Sequence, residues 1–319
     1  MVAKPTVFID GEAGTTGLQI YARLAERDDL ELLRIDSDKR KDQTERTRLL
    51  NEADVSVLCL PDEAAREAVS WVTNPAAKIL DASSAHRTAE GWVYGFPELM
   101  AGQRDRIAQS VHVSNPGCYP TGFLACIHPL VSTGLLPTDF PVTINAVSGY
   151  SGGGRKLIEQ YQQVAKAGIE HATPYGPYGL SFGHKHVKEM HKYSGLDHAP
   201  LFVPAVGDFE QGMLVQMPLP LWTLETPPTG EQICHTLMEH YSGEAFVKVY
   251  PYNSTAALRD GKFLDIKTAN GTNQVQLFVF ANGTEAILVA RLDNLGKGAS
   301  GAAVQNLNLM LGLPESLGL

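Results

Sequence analysis

The chain has 319 residues, of which 44% are hydrophobic and 19% are charged, and its formal net charge is −9. This length exceeds one ordinary core and fits two domains, and the composition is typical of a globular protein with a sizeable interior. Because an acidic surface without a long run of basic residues repels a polyanion over most of its area, we expect no nucleic-acid partner.

The sequence also lacks the features of an exported or membrane protein. Its first residues do not resemble a signal peptide, and no apolar run is long enough to span a bilayer. The cysteines form no Cys-x-x-Cys pair and stand at positions 59, 118, 126 and 234. We therefore expect reduced thiols, a cytoplasmic location and no membrane partner.

The first third of the chain alternates short apolar strands with helical stretches. Strands are predicted at 6–10, 30–35, 54–61 and 78–81. Helices are predicted after the first strand and from Asp62, which we interpret as a helix N-cap, to residue 72. Such alternation predicts an α/β domain with a doubly wound parallel sheet.

A glycine-rich loop follows the first strand and opens a helix. It reads Gly11, Glu12, Ala13, Gly14, Thr15, Thr16 and Gly17. Glycines at this position let backbone N–H groups approach a pyrophosphate, and the helix N-terminus adds favourable positive potential. The loop predicts a dinucleotide site, and an ordinary tight turn is the alternative.

The choice between NAD and NADP stays open on this reasoning. Asp36, at the predicted end of the second strand, suits a free ribose 2′-hydroxyl and repels a 2′-phosphate. The next residues contain Ser37 and three cations, Lys39, Arg40 and Lys41, which can hold that phosphate. A solvated charged loop is the third alternative.

The pattern changes after Cys118. A helix is predicted near 120–131, and strands near 142–147, 213–217, 274–280 and 286–292. Asn282-Gly283 predicts a two-residue hairpin turn between the last two strands. Longer antiparallel strands indicate an α+β domain with a mixed sheet, and a final helix at 299–311 is placed to return to the first domain.

Cys118 is the candidate nucleophile. Pro120 is tolerated in a first helical turn, which places Cys118 at or near the start of a helix. The helix dipole lowers the pKa of a thiol there, and nearby backbone N–H groups with the Asn115 amide can form an oxyanion hole. A thiolate beside a nicotinamide attacks an acyl carbon to give a thioester, which accepts a hydride to become an aldehyde.

This chemistry needs an acid/base, and histidines crowd the segment 184–191. Glu189 lies three residues after His186, on the same face of a predicted helix, which favours a general acid/base. A metal site lacks a familiar ligand spacing, so we expect no metal. Surface histidines at the end of a helix are the remaining alternative.

Four stretches together resemble the N-acetyl-gamma-glutamyl-phosphate reductases, and they span most of the chain in order. They are Ser-Asn-Pro-Gly-Cys-Tyr-Pro-Thr at 114–121, Ser-Gly-Tyr-Ser-Gly-Gly-Gly-Arg at 148–155, His-x-His-x-x-Glu at 184–189, and Asp-Asn-Leu-Gly-Lys-Gly at 293–298 with Gln-Asn-Leu-Asn at 305–308. The length resembles the shorter of the family's two forms.

The resemblance implies a Rossmann domain at 1–117, completed by a C-terminal helix within 294–319. It also implies a catalytic and dimerisation domain at 118–293, related to glyceraldehyde-3-phosphate and aspartate-semialdehyde dehydrogenases, in a homo-oligomer (dimer or tetramer). The implied reaction is NADPH-dependent reduction of N-acetyl-gamma-glutamyl phosphate to the semialdehyde, through a Cys118 thioester and with release of phosphate, in arginine biosynthesis.

Individual positions carry over from the motifs. Cys118 matches the family's nucleophile and His184 its acid/base. The implied substrate contacts are His186, Glu189, Tyr178 and Asn115, with Ser84 and Arg87 as a phosphate-binding pair. The implied cofactor contacts are the 11–17 loop, Ser37 and Arg40 at the NADP 2′-phosphate, the nicotinamide-side loop of Ser151, Gly152 and Gly153, and Asn294.

Two departures from the longer form concern substrate contacts. Gln211 stands where that form has arginine, so the anchoring cation is absent or supplied elsewhere, for example by Arg155. Lys188 stands where that form has proline. The alternatives to the family assignment are another acyl-phosphate or aldehyde dehydrogenase, a non-catalytic dinucleotide sensor, and a metal-dependent hydrolase built on the histidines.

Overall fold

A computed structural model describes residues 4–166 and 173–319. The chain divides into two compact units, the first comprising Met1–Gly117 with Ala299–Leu319 and the second Cys118–Gly298. The return to the first unit therefore begins later than the predicted residue 294. Asn294 stays with the second unit because its side chain accepts from the Gly212 N–H at 2.8 Å and donates to the Ser151 hydroxyl at 3.0 Å.

The first unit is built on a six-stranded sheet in which every strand pair is parallel, with the order β2-β1-β3-β4-β6-β5. Its strands are β1 (Thr6–Asp10), β2 (Glu31–Leu33), β3 (Val55–Leu58), β4 (Lys78–Asp81), β5 (Val93–Tyr94) and β6 (His112–Ser114). Its helices before the second unit are α1 (Thr15–Leu24), α2 (Gln43–Glu52), α3 (Asp62–Ser70) and α4 (Gln103–Gln109).

Alternating side chains of the strands feed two separate cores, one on each face of this sheet. Val7 and Ile9 lie in a cluster with residues of α1 and of the C-terminal segment. Phe8, between them, lies in the other cluster with residues of α2 and α3. Because side chains alternate across a strand, helices must cover both faces, which confirms the predicted doubly wound arrangement.

The second unit contains a seven-stranded mixed sheet with the order β11-β14-β15-β10-β7-β9-β8, and a small hairpin of β12 and β13. Its elements are α5 (Cys118–Ser132), β7 (Thr143–Gly149), α6 (Gly154–Lys166), β8 (Tyr175–Pro177), α7 (His186–Ser194), β9 (Leu201–Gly207), β10 (Met213–Pro220), α8 (Gly230–His240), β11 (Val247–Val249), β12 (Leu258–Arg259), β13 (Phe263–Leu264), β14 (Val275–Asn282) and β15 (Glu285–Leu292). β7 with β9 and β11 with β14 are parallel, and the other pairs of this sheet are antiparallel. This confirms the predicted mixed sheet.

After β15 the chain forms a π-helical turn, Gly296–Ser300, and a helix, α9 (Gly301–Leu311). α9 packs against α1, α4, β3 and β4 of the first unit. Its apolar side chains, including Val304 and Leu307, complete one of the two cores of that unit. No helix of the described residues is long and apolar enough to cross a membrane.

Two local predictions need correction. Asn282 pairs with Glu285, so the hairpin loop is Gly283-Thr284, one residue later than predicted. The φ of +58° at Gly283 suits the first central position of a tight hairpin turn, where glycine is preferred. Asp62 is the first residue of α3 and Pro61 is its N-cap, because the Asp62 carboxylate accepts hydrogen bonds from Ser84 instead.

Candidate active site

The glycine-rich loop contains two glycines that the packing of the fold requires and one that it does not require. A Cβ at Gly11, where φ is +90°, would lie 2.4 Å from the Cys59 carbonyl oxygen, and a Cβ at Gly17 would lie 2.5 Å from the Gly11 carbonyl oxygen. A Cβ at Gly14 would meet nothing closer than 3.4 Å. Packing within the unit therefore explains Gly11 and Gly17, whereas Gly14 is left for close approach of a ligand.

Gly14 is the N-cap of α1, and no side chain of the described residues caps that helix. An uncapped helix start presents backbone N–H groups and positive potential, which suit a phosphate group. Of the residues between the glycines, Glu12 and Ala13 lie in the turn, and Thr15 and Thr16 are the first two residues of α1. The loop thus fits the diphosphate of a dinucleotide.

The charged residues around this loop are paired. Arg34 lies 3.2 Å from the Glu12 carboxylate, and Arg46 lies 2.8 Å from the buried Asp10 carboxylate at the end of β1. Both pairs neutralise acids that would otherwise oppose an anionic ligand at the loop.

The predicted 2′-phosphate segment lies beyond β2. The second strand was predicted to end at Asp36, but β2 ends at Leu33. Asp36 lies in an exposed loop, and its carboxylate is 3.6 Å from the Lys39 ammonium. Ser37 and Arg40 are exposed in the same loop. The geometry of this loop is therefore compatible with either NAD or NADP.

Ser84 and Arg87 lie in a turn after β4 and differ in their partners. The Ser84 hydroxyl is 2.6 Å from the Asp62 carboxylate, which disfavours an anion beside that hydroxyl. Arg87 is 8% exposed, and its Nε donates to the Asn115 carbonyl at 2.9 Å. Of the two, Arg87 is better suited to a phosphate group.

The side-chain amide of Asn115 makes two hydrogen bonds inside the first unit. Its Nδ2 donates to the Ala299 carbonyl at 3.0 Å, and its Oδ1 accepts from the Asn306 amide at 3.1 Å. Both contacts fix the backbone that leads into Cys118. The side chain thus has a positioning role beside any contact with a substrate.

Cys118 is the first residue of α5, and its side chain is partly exposed. A Cβ at Gly298, in the π-helical turn, would lie 2.8 Å from the Cys118 Cβ. The sequence analysis includes Gly298 only within the motif 293–298 and assigns it no role, although π-helical turns are frequent at functional sites.

The other cysteines differ from Cys118 in their surroundings. Burial raises the pKa of the Cys59 thiol to about 12, and the charges of Asp81 and Asp10 act in the same direction. Burial also raises the pKa of Cys126 and Cys234. Because the thiolate is the nucleophile, these three thiols are poor candidates for attack.

His184 lies just before α7 in an aromatic pocket of the second unit. Its Nε2 is 3.5 Å from the Tyr178 hydroxyl, which lies 3.4 Å from the hydroxyl of Tyr119, the residue after Cys118. Burial raises the pKa of Tyr178 to about 12; the hydrogen bond with Tyr119 opposes this rise and the Cys118 charge adds to it.

The tautomer of His184 follows from its backbone contact. Its Nδ1 accepts the His186 N–H at 3.2 Å, so a neutral ring carries its proton on Nε2. Burial, and then Lys185, lowers the pKa of His184, which favours the neutral ring near pH 7. Nε2 therefore presents a proton donor toward the pocket.

His186 and Glu189 begin α7 and are buried, with Glu189 only 1% exposed. Both face the interior of the second unit, and the His186 ring lies 5.8 Å from the Tyr119 ring. Among the residues that the structure describes, no three metal-ligating side chains converge as an ion would require.

The turn 150–153 contains Ser151, Gly152 and Gly153. The Ser151 hydroxyl donates to the Glu210 carbonyl and accepts from the Asn294 amide. A Cβ at Gly152 would lie 3.0 Å from the Ser148 hydroxyl. Asn294 therefore holds this turn in place through Ser151.

Gln211 and Arg155 are the two positions that bear on the cation expected to anchor the substrate. The Gln211 amide donates to the Asp293 carboxylate, which also accepts the Gly271 and Leu295 N–H groups. Gln211 is thus part of the scaffold. Arg155 is strongly exposed on α6 and pairs with Glu159 at 3.0 Å, a contact that ties it to its own helix.

Known proteins resemble this chain over both units. Residues 6–110 match the family model described as semialdehyde dehydrogenase, NAD binding domain, and residues 118–294 match semialdehyde dehydrogenase, dimerisation domain. An N-acetyl-gamma-glutamyl-phosphate reductase 2 from a Nostoc strain is 66% identical, covering 99% of each chain. The N-acetyl-gamma-glutamyl-phosphate reductase of Mesorhizobium japonicum is 52% identical, over 97% of this chain and all of that one.

Solved structures agree on the fold. Aspartate semialdehyde dehydrogenase II from Vibrio cholerae has a TM-score of 0.73 at 15% identity, covering 97% of this chain and 99% of that one. The Candida albicans aspartate semialdehyde dehydrogenase, solved with NADP, has a TM-score of 0.69 at 14% identity, covering 97% and 99% of the two chains. At such identities the likeness concerns the fold alone.

Proposed function

Because the chain belongs to the semialdehyde dehydrogenase family, among its N-acetyl-gamma-glutamyl-phosphate reductases, we propose that it reduces N-acetyl-gamma-glutamyl phosphate to N-acetylglutamate semialdehyde. The reaction consumes NADPH, releases phosphate and serves arginine biosynthesis. The partly exposed Cys118 thiol at the first residue of α5 carries this proposal, because it joins a nucleophile to a chain that includes an NAD binding domain.

Cys118 opens the reaction. Its thiolate, favoured by the α5 dipole, attacks the acyl carbon, and a thioester forms as the C–O bond to phosphate breaks. The departing phosphate takes the electron pair and is bound by the Arg87 guanidinium. A nicotinamide cofactor, when bound, would supply the hydride that reduces the thioester carbon.

His184 acts on the oxygen that gains negative charge in the hydride step. Its neutral ring donates Nε2–H to this oxyanion as a hydrogen bond, which stabilises the tetrahedral intermediate. Full proton transfer from a neutral ring would leave an imidazolate, so the predicted acid/base role is here that of a hydrogen-bond donor. The intermediate then collapses to the aldehyde as the carbon–sulfur bond breaks, and the Cys118 thiolate is restored. The contact of Nδ1 with the His186 N–H and the lowered pKa support the neutral ring.

Other residues are assigned to binding and orienting the substrate. Tyr178, His186 and Glu189 belong to the substrate pocket in this proposal, and Asn115 fixes the backbone before Cys118. Ser84 contributes to the phosphate site only if its contact with Asp62 opens. Arg155 remains the candidate cation for the substrate carboxylate once Glu159 is displaced.

The cofactor assignment is NADP, on the resemblance and the cations of the 37–41 loop. Its diphosphate is assigned to the 11–17 loop, its 2′-phosphate to Ser37 and Arg40, and its nicotinamide side to the turn of Ser151, Gly152 and Gly153, which Asn294 supports. Exposure of Ser37 and Arg40 is compatible with this, since a 2′-phosphate is itself a solvent-facing group.

Assembly and location complete the proposal. The match of 118–294 to a dimerisation domain supports a homo-oligomer, a dimer or a tetramer. Four free cysteines suit a reducing compartment, so we assign the chain to the cytoplasm.

Replacing Cys118 with serine tests the mechanism. We expect turnover to fall by at least about a thousandfold, because a hydroxyl is a far weaker nucleophile at neutral pH, while NADPH binding is unchanged. The assay follows nicotinamide absorbance during phosphate-dependent oxidation of N-acetylglutamate semialdehyde with NADP. Parallel arms with NAD and with aspartate semialdehyde distinguish the cofactor and the substrate, and unchanged turnover in Cys118→Ser would refute the thioester mechanism.

A further inference from the structure

We propose that a buried Asp81–His86 pair positions Arg87 for the phosphate group, and that both act as positioning residues rather than by touching a substrate. The inference rests on the proposed function, in which Arg87 binds the departing phosphate. It arises from a cluster of buried polar side chains in the first unit that the mechanism above does not use.

Asp81 ends β4 and is fully buried. Its Oδ1 accepts the Ser83 N–H at 2.8 Å, and its Oδ2 accepts the Ser83 hydroxyl at 2.8 Å and faces Nδ1 of His86 at 2.7 Å. A buried carboxylate is costly in free energy unless its oxygens are satisfied in this way. One side chain therefore fixes both the start and the end of the turn 82–86.

His86 is fixed a second time by its ring face. The ring stacks on Trp92 with centroids 4.1 Å apart, and the other partner of Trp92 in this stack is His112, at 4.8 Å. The imidazole is thus held at Nδ1 by a carboxylate and on its face by an aromatic ring. This leaves the backbone at residue 86, and the residue that follows, little freedom.

Arg87 is that next residue. Its Nε donates to the Asn115 carbonyl at 2.9 Å, and Nη2 donates to the Ala82 carbonyl at 3.4 Å. The guanidinium therefore bridges the start of the same turn and the segment three residues before Cys118. Its orientation depends on where the turn places Ala82 and on where His86 places its own backbone.

A preorganised guanidinium binds phosphate better than a mobile one, because less conformational entropy is lost on binding. Loosening the turn is expected to weaken the phosphate site and leave the thiol, the aldehyde site and the cofactor loop unaffected. The signature of the pair is a selective rise in the KM for phosphate.

The test compares His86→Phe with His112→Phe. Phenylalanine at 86 keeps an aromatic face for Trp92 and removes the bond to Asp81. The control removes a histidine from the other side of the same Trp92, with no bond to Asp81 lost. In phosphate-dependent oxidation of the semialdehyde, we expect His86→Phe to raise the KM for phosphate about tenfold, with the KM for aldehyde and the Kd for NADP within about twofold of wild type.

Rescue and a milder variant guard against misfolding. His86→Asn retains a donor near the position of Nδ1 and should recover most of the phosphate affinity. Ser83→Ala removes one hydroxyl from Asp81 and should give a smaller shift in the same direction. A lower melting temperature in His86→Phe with an unchanged KM for phosphate would mean that the pair is only structural and would overturn the inference.

Calorimetric binding of inorganic phosphate to the same proteins gives a readout that does not depend on turnover. If wild type binds phosphate, His86→Phe binds it weakly, and no semialdehyde is oxidised, the proposed reaction falls and the positioning role stands. If the semialdehyde is oxidised and both proteins bind phosphate equally, the reaction stands and the positioning role falls.

Discussion

Gly298 lies so close to Cys118 that the fold leaves no room for a side chain at position 298. A Cβ at this position would lie 2.8 Å from the Cys118 Cβ and 3.1 Å from the Asp293 carbonyl oxygen. Both neighbours are themselves fixed, one at a helix start and the other by the backbone bond from Gly298 N–H to Asp293 at 3.0 Å. A side chain at 298 must therefore shift either Cys118 or the turn 296–300.

We expect Gly298→Ala to lower kcat by about tenfold to a hundredfold, since a displacement of this size misaligns a nucleophile. The Kd for NADPH should change by less than kcat, because the diphosphate and 2′-phosphate contacts are assigned to residues 11–17, 37 and 40. Steady-state kinetics and fluorescence titration measure the two quantities. Ala299→Gly, one residue along, is the matched control, and a wild-type kcat in Gly298→Ala would show that the thiol tolerates the displacement.

The pH dependence of aldehyde oxidation is a second prediction at the residue scale. In this direction the His184 Nε2–H holds the hemithioacetal oxyanion while Nδ1 accepts the His186 N–H, so the neutral ring is the active form. Burial, with Lys185, lowers its pKa below the ordinary value of 6.5. The acid limb assigned to His184 should therefore lie below pH 6.5 in the kcat profile. His184→Gln should lose this limb, and a limb that persists there belongs to another group.

The same lowered pKa has a defined sign for stability. The neutral ring is favoured in the folded state, so this contribution is present above the unfolded pKa near 6.5 and is lost as pH falls toward the folded value. His184→Gln should accordingly be less sensitive to mild acid than wild type in thermal unfolding.

At the scale of elements, the glycine loop contains two kinds of glycine. We expect Gly14→Ala to fold normally and to bind NADPH about tenfold more weakly, because the added methyl group obstructs a ligand and not the protein. Gly17→Ala, whose Cβ would lie 2.5 Å from a carbonyl oxygen, should instead lower the melting temperature. Equal losses of stability in the two variants would contradict this distinction.

Sequence patterns predicted the strands and helices well where the pattern is local. The first strand, its loop, and the helix that starts at Cys118 follow from periodicity and from glycine and proline chemistry. Asp62 was assigned wrongly because its partner, Ser84, is distant in sequence and competes with the helix end for the carboxylate. The hairpin turn was displaced by one residue because Asn and Gly both favour such turns.

In the candidate site, too, local features could be predicted from the sequence and contacts between distant residues could not. Cys118 and the glycine loop are recognisable from local sequence, whereas the Asp81–His86 pair and the Asn115–Asn306 contact join residues whose relation only the folded chain reveals. The roles predicted for His184, Arg87 and the cofactor residues stay predictions that the experiments above address.

At the scale of the whole molecule, α9 connects distant parts of the first unit. Asn306 is fully buried, and its amide donates to the Gly95 carbonyl at 2.8 Å and to Asn115 at 3.1 Å. We expect Asn306→Ala to lower the free energy of unfolding of the first unit by about 1–3 kcal/mol, since buried partners are left unsatisfied. Urea unfolding measures this, with the exposed Asn282→Ala as control, and equal midpoints for the two variants would contradict it.

The order of the chain has a consequence for its synthesis. The first unit needs residues 299–319, which leave the ribosome only after the whole second unit. Until then, the part of the parallel sheet against which α9 packs, including Val57 of β3 and Leu80 of β4, lacks that helix. During translation the nascent chain therefore holds an open apolar surface on a segment made before the second unit, so chaperone demand and the yield of intact protein should depend on how fast the ribosome reaches α9.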